Sequence, residues 1–304
     1  MNTVADGATM PVTPPRLPRP SFLGAFGGEI LKLRRQGWIW AMISLALVLF
    51  AVLSLGVLQV THMRQTLAES PTLFTYNLID IYLNVFDSGA GIVLLIVSAR
   101  LVGMEYSGGT IRVLLSRGVG RLRLHLAKLA ALALLGVVLL VGYAALVVAT
   151  VYVSVVGWEG SAARLTSLPA HVWGDGLISI PIALASIGIA ILVGSTAAVL
   201  GRSTTFGLAA ALVLFPADNA LTVVCSSIGK LTTQGMWAGL TTMLLGPSLN
   251  VLPQTMETDR RPHIAFEVPV SAVSAPHAWL VIAGWAAAMV VTCVVLLRRR
   301  DVLQ

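Results

Sequence analysis

Six apolar runs of about twenty residues or more constrain the fold of this chain most. A helix needs about 20 consecutive apolar residues to cross the hydrocarbon core of a bilayer. The runs cover approximately residues 38–60, 81–103, 126–156, 176–200, 204–225 and 278–297. Only 11% of the residues are charged, whereas a soluble domain carries about 25%. We therefore predict an all-α membrane protein with six transmembrane helices.

Polar stretches separate these runs and complete the predicted domain plan. Residues 1–20 contain five prolines, which predicts a disordered cytoplasmic tail, and residues 21–304 form one transmembrane domain. Within 21–37 an apolar stripe from Phe22 to Leu33 alternates with polar residues, which are Glu29, Lys32, Arg34 and Arg35. This pattern favours an amphipathic helix in the headgroup plane, and the alternative is a plain basic flank of the first run. Polar loops are predicted over 61–80 and 157–175.

The segment from Met236 to Val251 is apolar but too short to span a bilayer. We predict a re-entrant or outer segment here, between spans five and six, followed by a proline-containing exposed loop over 253–276. With six spans and a cytoplasmic amino terminus, 15 of the 20 Lys and Arg residues lie on the cytoplasmic side. A seventh span would place Arg298–Arg300 outside. The net charge of +7 therefore indicates orientation rather than a nucleic-acid surface.

A basic segment from Met104 to Lys128 separates the second and third runs. Its apolar residues recur at helical spacing, and Gly108-Gly109 before Thr110 suits the start of a new helix. Basic residues surround the apolar stripe: Arg112, Arg117, Arg121, Arg123 and Lys128. Orientation alone does not require a helix at this place. We therefore predict a short amphipathic helix across the cytoplasmic face, positioned for a contact on that side.

The sequence contains no motif for catalysis or for binding a nucleotide or metal. It lacks the phosphate-binding pattern Gly-x-x-x-x-Gly-Lys-Ser/Thr, the zinc pattern His-Glu-x-x-His and the nucleophile pattern Gly-x-Ser-x-Gly. The five histidines are scattered, and the two cysteines lie in apolar runs without metal-ligand spacing. We expect no enzyme activity, no cofactor and no metal in this chain.

Two acidic residues, Asp87 and Asp218, lie within the apolar runs, where ionisable residues are functional candidates. They are candidates to line an outer vestibule. Alternatively, both are hydrated at helix ends, or Asp218 satisfies backbone groups that Pro216 frees. The fourth run also has small residues at four-residue spacing, from Ser186 to Ala198, which lets another helix of a second subunit or of the same chain approach closely.

The segment from Glu105 to Lys128 resembles the matching part of ABC-2 type transporter permeases, the six-span membrane subunits of ABC exporters. That family shows an acidic residue, a Gly-Thr pair, an Arg-x-Leu-Leu-Ser pattern, a further Arg and a Lys that opens the third span. The residues here are Glu105, Gly109-Thr110, Arg112, Leu114-Leu115-Ser116, Arg121 and Lys128. The amphipathic entry helix and the re-entrant segment also resemble the family, so the resemblance covers about residues 21–300.

The resemblance implies that residues 104–123 form a coupling helix on a separate ATPase subunit. The coupling residues that it implies are Glu105, Thr110, Arg112, Leu114, Leu115, Arg117 and Arg121. It also implies two ATPase copies that hold ATP and magnesium, and a second permease copy in a homodimer or paired permease. The expected location is a bacterial or archaeal plasma membrane, with both termini cytoplasmic, lipid around the spans and no nucleic-acid partner.

Two other classes of function remain open on the residues alone. A secondary transporter would couple to a proton or cation through Asp87 and Asp218, and it would need no ATPase. The lack of an evident internal repeat counts against that class. A membrane-embedded enzyme would need clustered nucleophiles, bases or metal ligands, which the sequence does not contain.

Overall fold

The computed structural model describes residues 21–299 except for 60, 110–119, 233–234 and 257–272. The described residues form eleven helices. They are α1 Phe22–Arg35, α2 Gly37–Gln59, α3 Thr61–Glu69, α4 Pro71–Ser107, α5 Arg121–Glu159, α6 Ala163–Thr166, α7 Ala170–Gly201, α8 Thr204–Thr232, α9 Gly235–Thr241, α10 Leu245–Met256 and α11 Ala275–Arg299. Within these residues no strand is present, which confirms the all-α prediction.

Six of these helices are long and apolar enough to cross a membrane, which confirms the predicted number of spans. They are α2, α4, α5, α7, α8 and α11. Two of them are much longer than a bilayer core requires, since α4 has 37 residues and α5 has 39. At about 1.5 Å per residue each measures over ~50 Å, so both project beyond a ~30 Å hydrocarbon layer.

The loop predicted over residues 61–80 is wrong, because residues 61–69 and 71–80 are helical and only Ser70 separates the two helices. Ser70 begins α4 by accepting a hydrogen bond from the backbone N–H of Leu73, and Pro71 occupies the first turn, where a missing N–H costs nothing. The side chains of Met63, Leu67 and Phe74 are buried in a small apolar core with α5. The prediction relied on the polar composition of this stretch and overlooked these apolar residues, which recur at helical spacing.

The spans alternate in direction, so their ends meet at two opposite faces of the bundle. We call the face that holds α1 the α1 end. Here α2, α5 and α8 begin, and α4, α7 and α11 finish, as contacts between their terminal residues show. The amino-terminal helix and the last described helix therefore end on the same face.

Helices α4 and α7 form the centre of the bundle, and small residues let them approach closely. A Cβ added to Gly194 would overlap Oγ of Ser98 and lie 2.5 Å from the carbonyl oxygen of Leu95. Nearby, Ala198 is fully buried and meets Gly207 of α8. The small-residue stripe of the fourth run thus packs against helices of the same chain.

Two short helices, α9 and α10, lie between the last two spans and are fastened to both. The indole Nε1 of Trp285 in α11 donates to the carbonyl oxygen of Met243 at 3.0 Å, and a ring nitrogen of His277 lies 3.2 Å from the carbonyl oxygen of Thr242. From α8, Asp218 accepts a hydrogen bond from the backbone N–H of Gly246. The turn between the two short helices is therefore held in place by neighbouring side chains.

Candidate functional site

Helix α1 presents an acidic residue to the bundle from an otherwise apolar face. The hydroxyl of Ser21 accepts a hydrogen bond from the backbone N–H of Gly24 at 3.0 Å and begins the helix. Phe26 and Ile30 pack against the main core, and Leu33 is buried within it. Glu29 lies between these residues and is only 2% exposed. Since a buried carboxylate requires partners, α1 is positioned by charge as well as by apolar packing.

Four charged residues from three helices form a closed ring at this place, which we call the ion cluster: Glu29 and Lys32 of α1, Glu105 of α4 and Lys128 of α5. The ammonium of Lys128 lies 2.8 Å from Oε2 of Glu29 and 2.6 Å from Oε1 of Glu105. The ammonium of Lys32 lies 2.7 Å from Oε1 of Glu29 and 3.0 Å from Oε1 of Glu105. Each cation therefore binds both carboxylates.

The electrostatics of the ion cluster depend on its balanced charge. The side chain of Lys128 is 3% exposed and that of Glu105 is 10% exposed, while that of Lys32 is 42% exposed. Burial by itself disfavours the charged form of Lys32. The hydrogen bonds and charges of Glu29 and Glu105 outweigh burial, so the pKa of Lys32 is raised above its ordinary value of 10.5.

The ion cluster lies at the base of the basic segment that joins α4 to α5. Glu105 is in the last turn of α4, and Lys128 is in the second turn of α5. Their ion pair brings the two ends of the intervening segment together, so this segment leaves and returns at one place. The ion cluster therefore joins α1, α4 and α5 where this segment begins and ends.

Other contacts extend this junction to the remaining spans. The hydroxyl of Ser107, the last residue of α4, accepts a hydrogen bond from the backbone N–H of Thr204 at the start of α8, at 3.2 Å. Arg121, the first residue of α5, donates to the carbonyl oxygen of Leu297 in α11 at 3.5 Å. A Cβ added to Gly103 would lie 2.6 Å from Cα of Thr204, so α4 and α8 touch through their backbones.

The first and fourth spans also join this region through α4. The guanidinium carbon of Arg100 in α4 lies 4.5 Å from the ring centroid of Trp38 in α2, a cation–π contact. Tyr106 of α4 packs on a buried cluster that includes Val199 of α7 and Cys293 of α11. Every described span is thus in contact with the helix ends that flank the basic segment, directly or through one neighbour.

Of the seven residues predicted for the coupling segment, the structure describes two. Glu105 belongs to the ion cluster, and Arg121 contacts the end of α11. The other five lie outside the described residues: Thr110, Arg112, Leu114, Leu115 and Arg117. The structure therefore describes both flanks of the predicted coupling segment, and the roles of all seven residues remain predictions.

Asp87 and Asp218, the two predicted vestibule residues, occupy different surroundings. Asp87 lies 16 residues inside α4, one carboxylate oxygen contacts Ser186 of α7, and the other is buried without a partner among the described residues. Asp218 instead accepts the backbone N–H of Gly246, as described above. The described residues contain no group of His, Cys, Asp and Glu that would hold a metal ion.

Comparison with known proteins agrees with this arrangement. The model of the ABC-2 family transporter proteins matches residues 26–215. This range includes α1 from residue 26 onward, the four residues of the ion cluster and the first four spans. The chain belongs to the ABC-2 family of transporter proteins. It is therefore a multi-pass membrane component, the permease, of an ABC transporter. No curated protein matches this permease.

Sequence analysis did not identify three members of the ion cluster as functional residues. From the sequence, Glu29 and Lys32 belong to the polar side of the amphipathic entry helix that resembles the family, and Lys128 belongs to the family's pattern at the start of the third span. The available signal was Lys128 itself, since it stands within the long apolar run of α5 and a lysine there requires a buried anion. Which acids supply that anion depends on contacts between distant residues.

Proposed function

We propose that this permease exports its cargo with energy from a separate ATP-binding subunit, and that residues 104–123 are the coupling helix that contacts it. The observation that carries the proposal is the ion cluster, because it joins both helices that flank the segment to α1. ATP and magnesium would reside on the partner, and the segment would receive the movement of that partner.

The geometry supports a rigid transmission of this movement. A push on the segment would act on Glu105 and Lys128 together, and their shared partner Glu29 would carry it to α1. The contact between Ser107 and Thr204 would carry the same movement to α8, and that between Arg121 and Leu297 to α11. Buried charge pairs suit this task, since separating them in a low dielectric is costly and the joined helices move as one body.

We assign the α1 end to the cytoplasm because basic residues gather there. The described basic residues at this end are Lys32, Arg34, Arg35, Arg100, Arg121, Arg123, Lys128, Arg202, Arg298 and Arg299, whereas the helix ends at the opposite face carry Arg64, Arg164 and Lys230. Cytoplasmic loops carry the excess of Lys and Arg in membrane proteins. The proposed plasma membrane is bacterial or archaeal, and both termini are proposed to be cytoplasmic.

The outer half of the permease is proposed to contain a re-entrant element and a vestibule. Trp285 contacts the turn between α9 and α10, and Asp218 contacts the first turn of α10. Each of the two residues lies 14 residues from the α1 end of its own helix, or ~21 Å along it. That depth lies within a ~30 Å hydrocarbon layer, where Trp285 and Asp218 satisfy backbone groups. We propose that Asp87 faces the cargo pathway, because its unpartnered oxygen is buried among the spans.

The coupling proposal is tested by charge reversal at Glu105. We expect Glu105→Lys to abolish co-purification of the ATPase encoded beside the permease and ATP-dependent export, since it places three cations around Glu29. The matched control is Glu159→Lys, which reverses an acid paired with Arg164 at the opposite face. Leu114→Asp tests the segment itself without touching the ion cluster. Unchanged ATPase assembly and export in Glu105→Lys and Leu114→Asp would overturn the proposal.

The assembly and the pathway need separate measurements. We propose two permease copies with two ATPase copies, and the mass of the purified complex tests this stoichiometry.

For the vestibule, Cys225 and Cys293 are replaced by Ser, and Asp87→Cys is treated from outside with an impermeant maleimide during ATP turnover. Labelling that increases with ATP supports an outer vestibule, and no labelling in any state rejects it. Export that persists without ATP while the proton gradient is kept would instead indicate a secondary transporter.

A further inference from the structure

The face of α1 that points away from the bundle carries exposed leucines and arginines side by side. Leu23 is 76% exposed and Leu31 is 47% exposed. Arg34 and Arg35 follow Leu31 by three and four residues, a spacing that places them next to it on the helix surface, and both are exposed. The opposite stripe is buried in the bundle. This exposed stripe lies on a different face of α1 from the ion cluster.

The elbow between α1 and α2 places an indole beside the two arginines. Nε1 of Trp40 donates to the carbonyl oxygen of Arg34 at 3.0 Å and so satisfies a backbone group at the end of α1. The Trp40 side chain nevertheless remains 53% exposed. Tryptophan prefers the boundary between headgroups and acyl chains, with its N–H bonded and its ring partly apolar.

The described residues at the α1 end provide no acid for Arg34 and Arg35. Only two described carboxylates lie at this end, Glu29 and Glu105, and both are already bound by the lysines of the ion cluster. An external anion is therefore the natural partner for these guanidinium groups. The planar donor fork of arginine matches the oxygens of a phosphate.

We propose that the elbow of α1 and α2 is a binding site for the phosphate headgroup of an anionic phospholipid. Arg34 and Arg35 bind the phosphate, Trp40 lies at the headgroup boundary, and Leu23 and Leu31 enter the acyl region. This inference rests on the proposed function for its orientation, which places α1 in the cytoplasmic leaflet, where anionic lipids attract basic side chains.

An occupied lipid site would act on the ion cluster through α1 itself. Glu29 and Lys32 lie within two turns of Arg34 and Arg35 on one helix. A headgroup that fixes the end of this helix also fixes the acid that binds Lys128. The lipid is thereby a structural part of the junction through which the basic segment acts on the spans.

The test is native mass spectrometry of the purified permease, titrated in detergent with phosphatidylglycerol and, separately, phosphatidylcholine. We expect tighter binding of phosphatidylglycerol. Arg34→Gln with Arg35→Gln lowers that affinity about 25-fold, since each basic side chain contributes roughly fivefold at an anionic surface. The loss is smaller for phosphatidylcholine, because the charge of its phosphate is offset by choline and the arginines contribute less to its binding. Arg34→Lys with Arg35→Lys keeps the charge and retains most of the affinity.

The matched control is Arg298→Gln with Arg299→Gln, which removes the same charge from the exposed end of α11. If both glutamine variants lose the same affinity for phosphatidylglycerol, net charge alone explains the loss, and this result would overturn the site. Unchanged phosphatidylglycerol binding in the α1 variant would also overturn it, and a loss of ATPase co-purification alone would assign this face to a protein partner. Because lipid is titrated without the ATPase, failure here leaves the coupling test unaffected.

Discussion

Removal of the Lys128 ammonium should destabilise the permease far more than the loss of an ordinary ion pair. Its Nζ joins Glu29 at 2.8 Å and Glu105 at 2.6 Å, and its side chain is 3% exposed. Lys128→Met leaves two buried carboxylates with one cation, Lys32, which is 42% exposed. Leaving a buried charge without its partner costs about 3–5 kcal/mol.

The two buried cysteines provide a built-in assay for this prediction. Cys225 and Cys293 are each 3% exposed, so a thiol-reactive fluorophore reports their exposure as the purified permease unfolds on heating. At roughly 2 °C per kcal/mol for a chain of this size, Lys128→Met should lower the unfolding temperature by at least ~6 °C. The control Glu159→Gln removes a partly exposed ion pair with Arg164 and should cost less than ~1 kcal/mol.

A second substitution separates charge imbalance from lost packing. Adding Glu105→Gln to Lys128→Met leaves Lys32 and Glu29 as a neutral pair, so we expect the double variant to recover about 1–3 kcal/mol relative to an additive loss. The reasoning is refuted if Lys128→Met unfolds within ~2 °C of the Glu159→Gln control. It is also refuted if the two substitutions simply add, since independent losses would mean that no charge balance operates.

Three further predictions concern packing, the turn before α10, and pH. Gly194→Ala should destabilise the permease by about 1–3 kcal/mol through overpacking against Ser98 and Leu95, and so lower its unfolding temperature. Gly188→Ala in the same helix meets nothing within 4 Å and should be neutral or stabilising, so equal effects would contradict the packing. Asp218 caps α10 by accepting the backbone N–H of Gly246, and loss of such a cap costs about 0.5–2 kcal/mol. Asp218→Ala should therefore speed hydrogen exchange of the first amides of α10, whereas Asp218→Asn should largely preserve their protection. Identical exchange in the two variants would exclude the cap. Burial lowers the pKa of Lys32, but Glu29 and Glu105 raise it by more, so the contribution of Lys32 to stability is fully present below pH 10.5 and is lost as pH rises through its folded pKa. When the unfolding temperature is measured against pH, Lys32→Met should therefore reduce its fall at alkaline pH. An unaltered fall at alkaline pH would show that Lys32 does not cause it.

The spans and the family were predictable from the sequence, whereas helix limits were not. A continuous apolar run is a local property, and a bilayer admits few structures for it. The polar composition of residues 61–80 predicted a loop. In the structure these residues form helices, and Met63 and Phe74 pack into a core with α5. The same failure hid how far α4 extends, since the helix continues for 16 residues before Asp87.

The sequence by itself determined that this chain has six helices able to cross a membrane, because each run of about 20 apolar residues satisfies its own backbone within one helix. Tertiary structure alone decided which charges meet. Glu105 binds Lys32 across 73 residues, and Lys128 binds Glu29 across 99. Such pairings depend on how helices pack, since hydropathy describes each helix separately and carries no information about its neighbours. The junction beneath the basic segment is therefore a property of the assembled bundle.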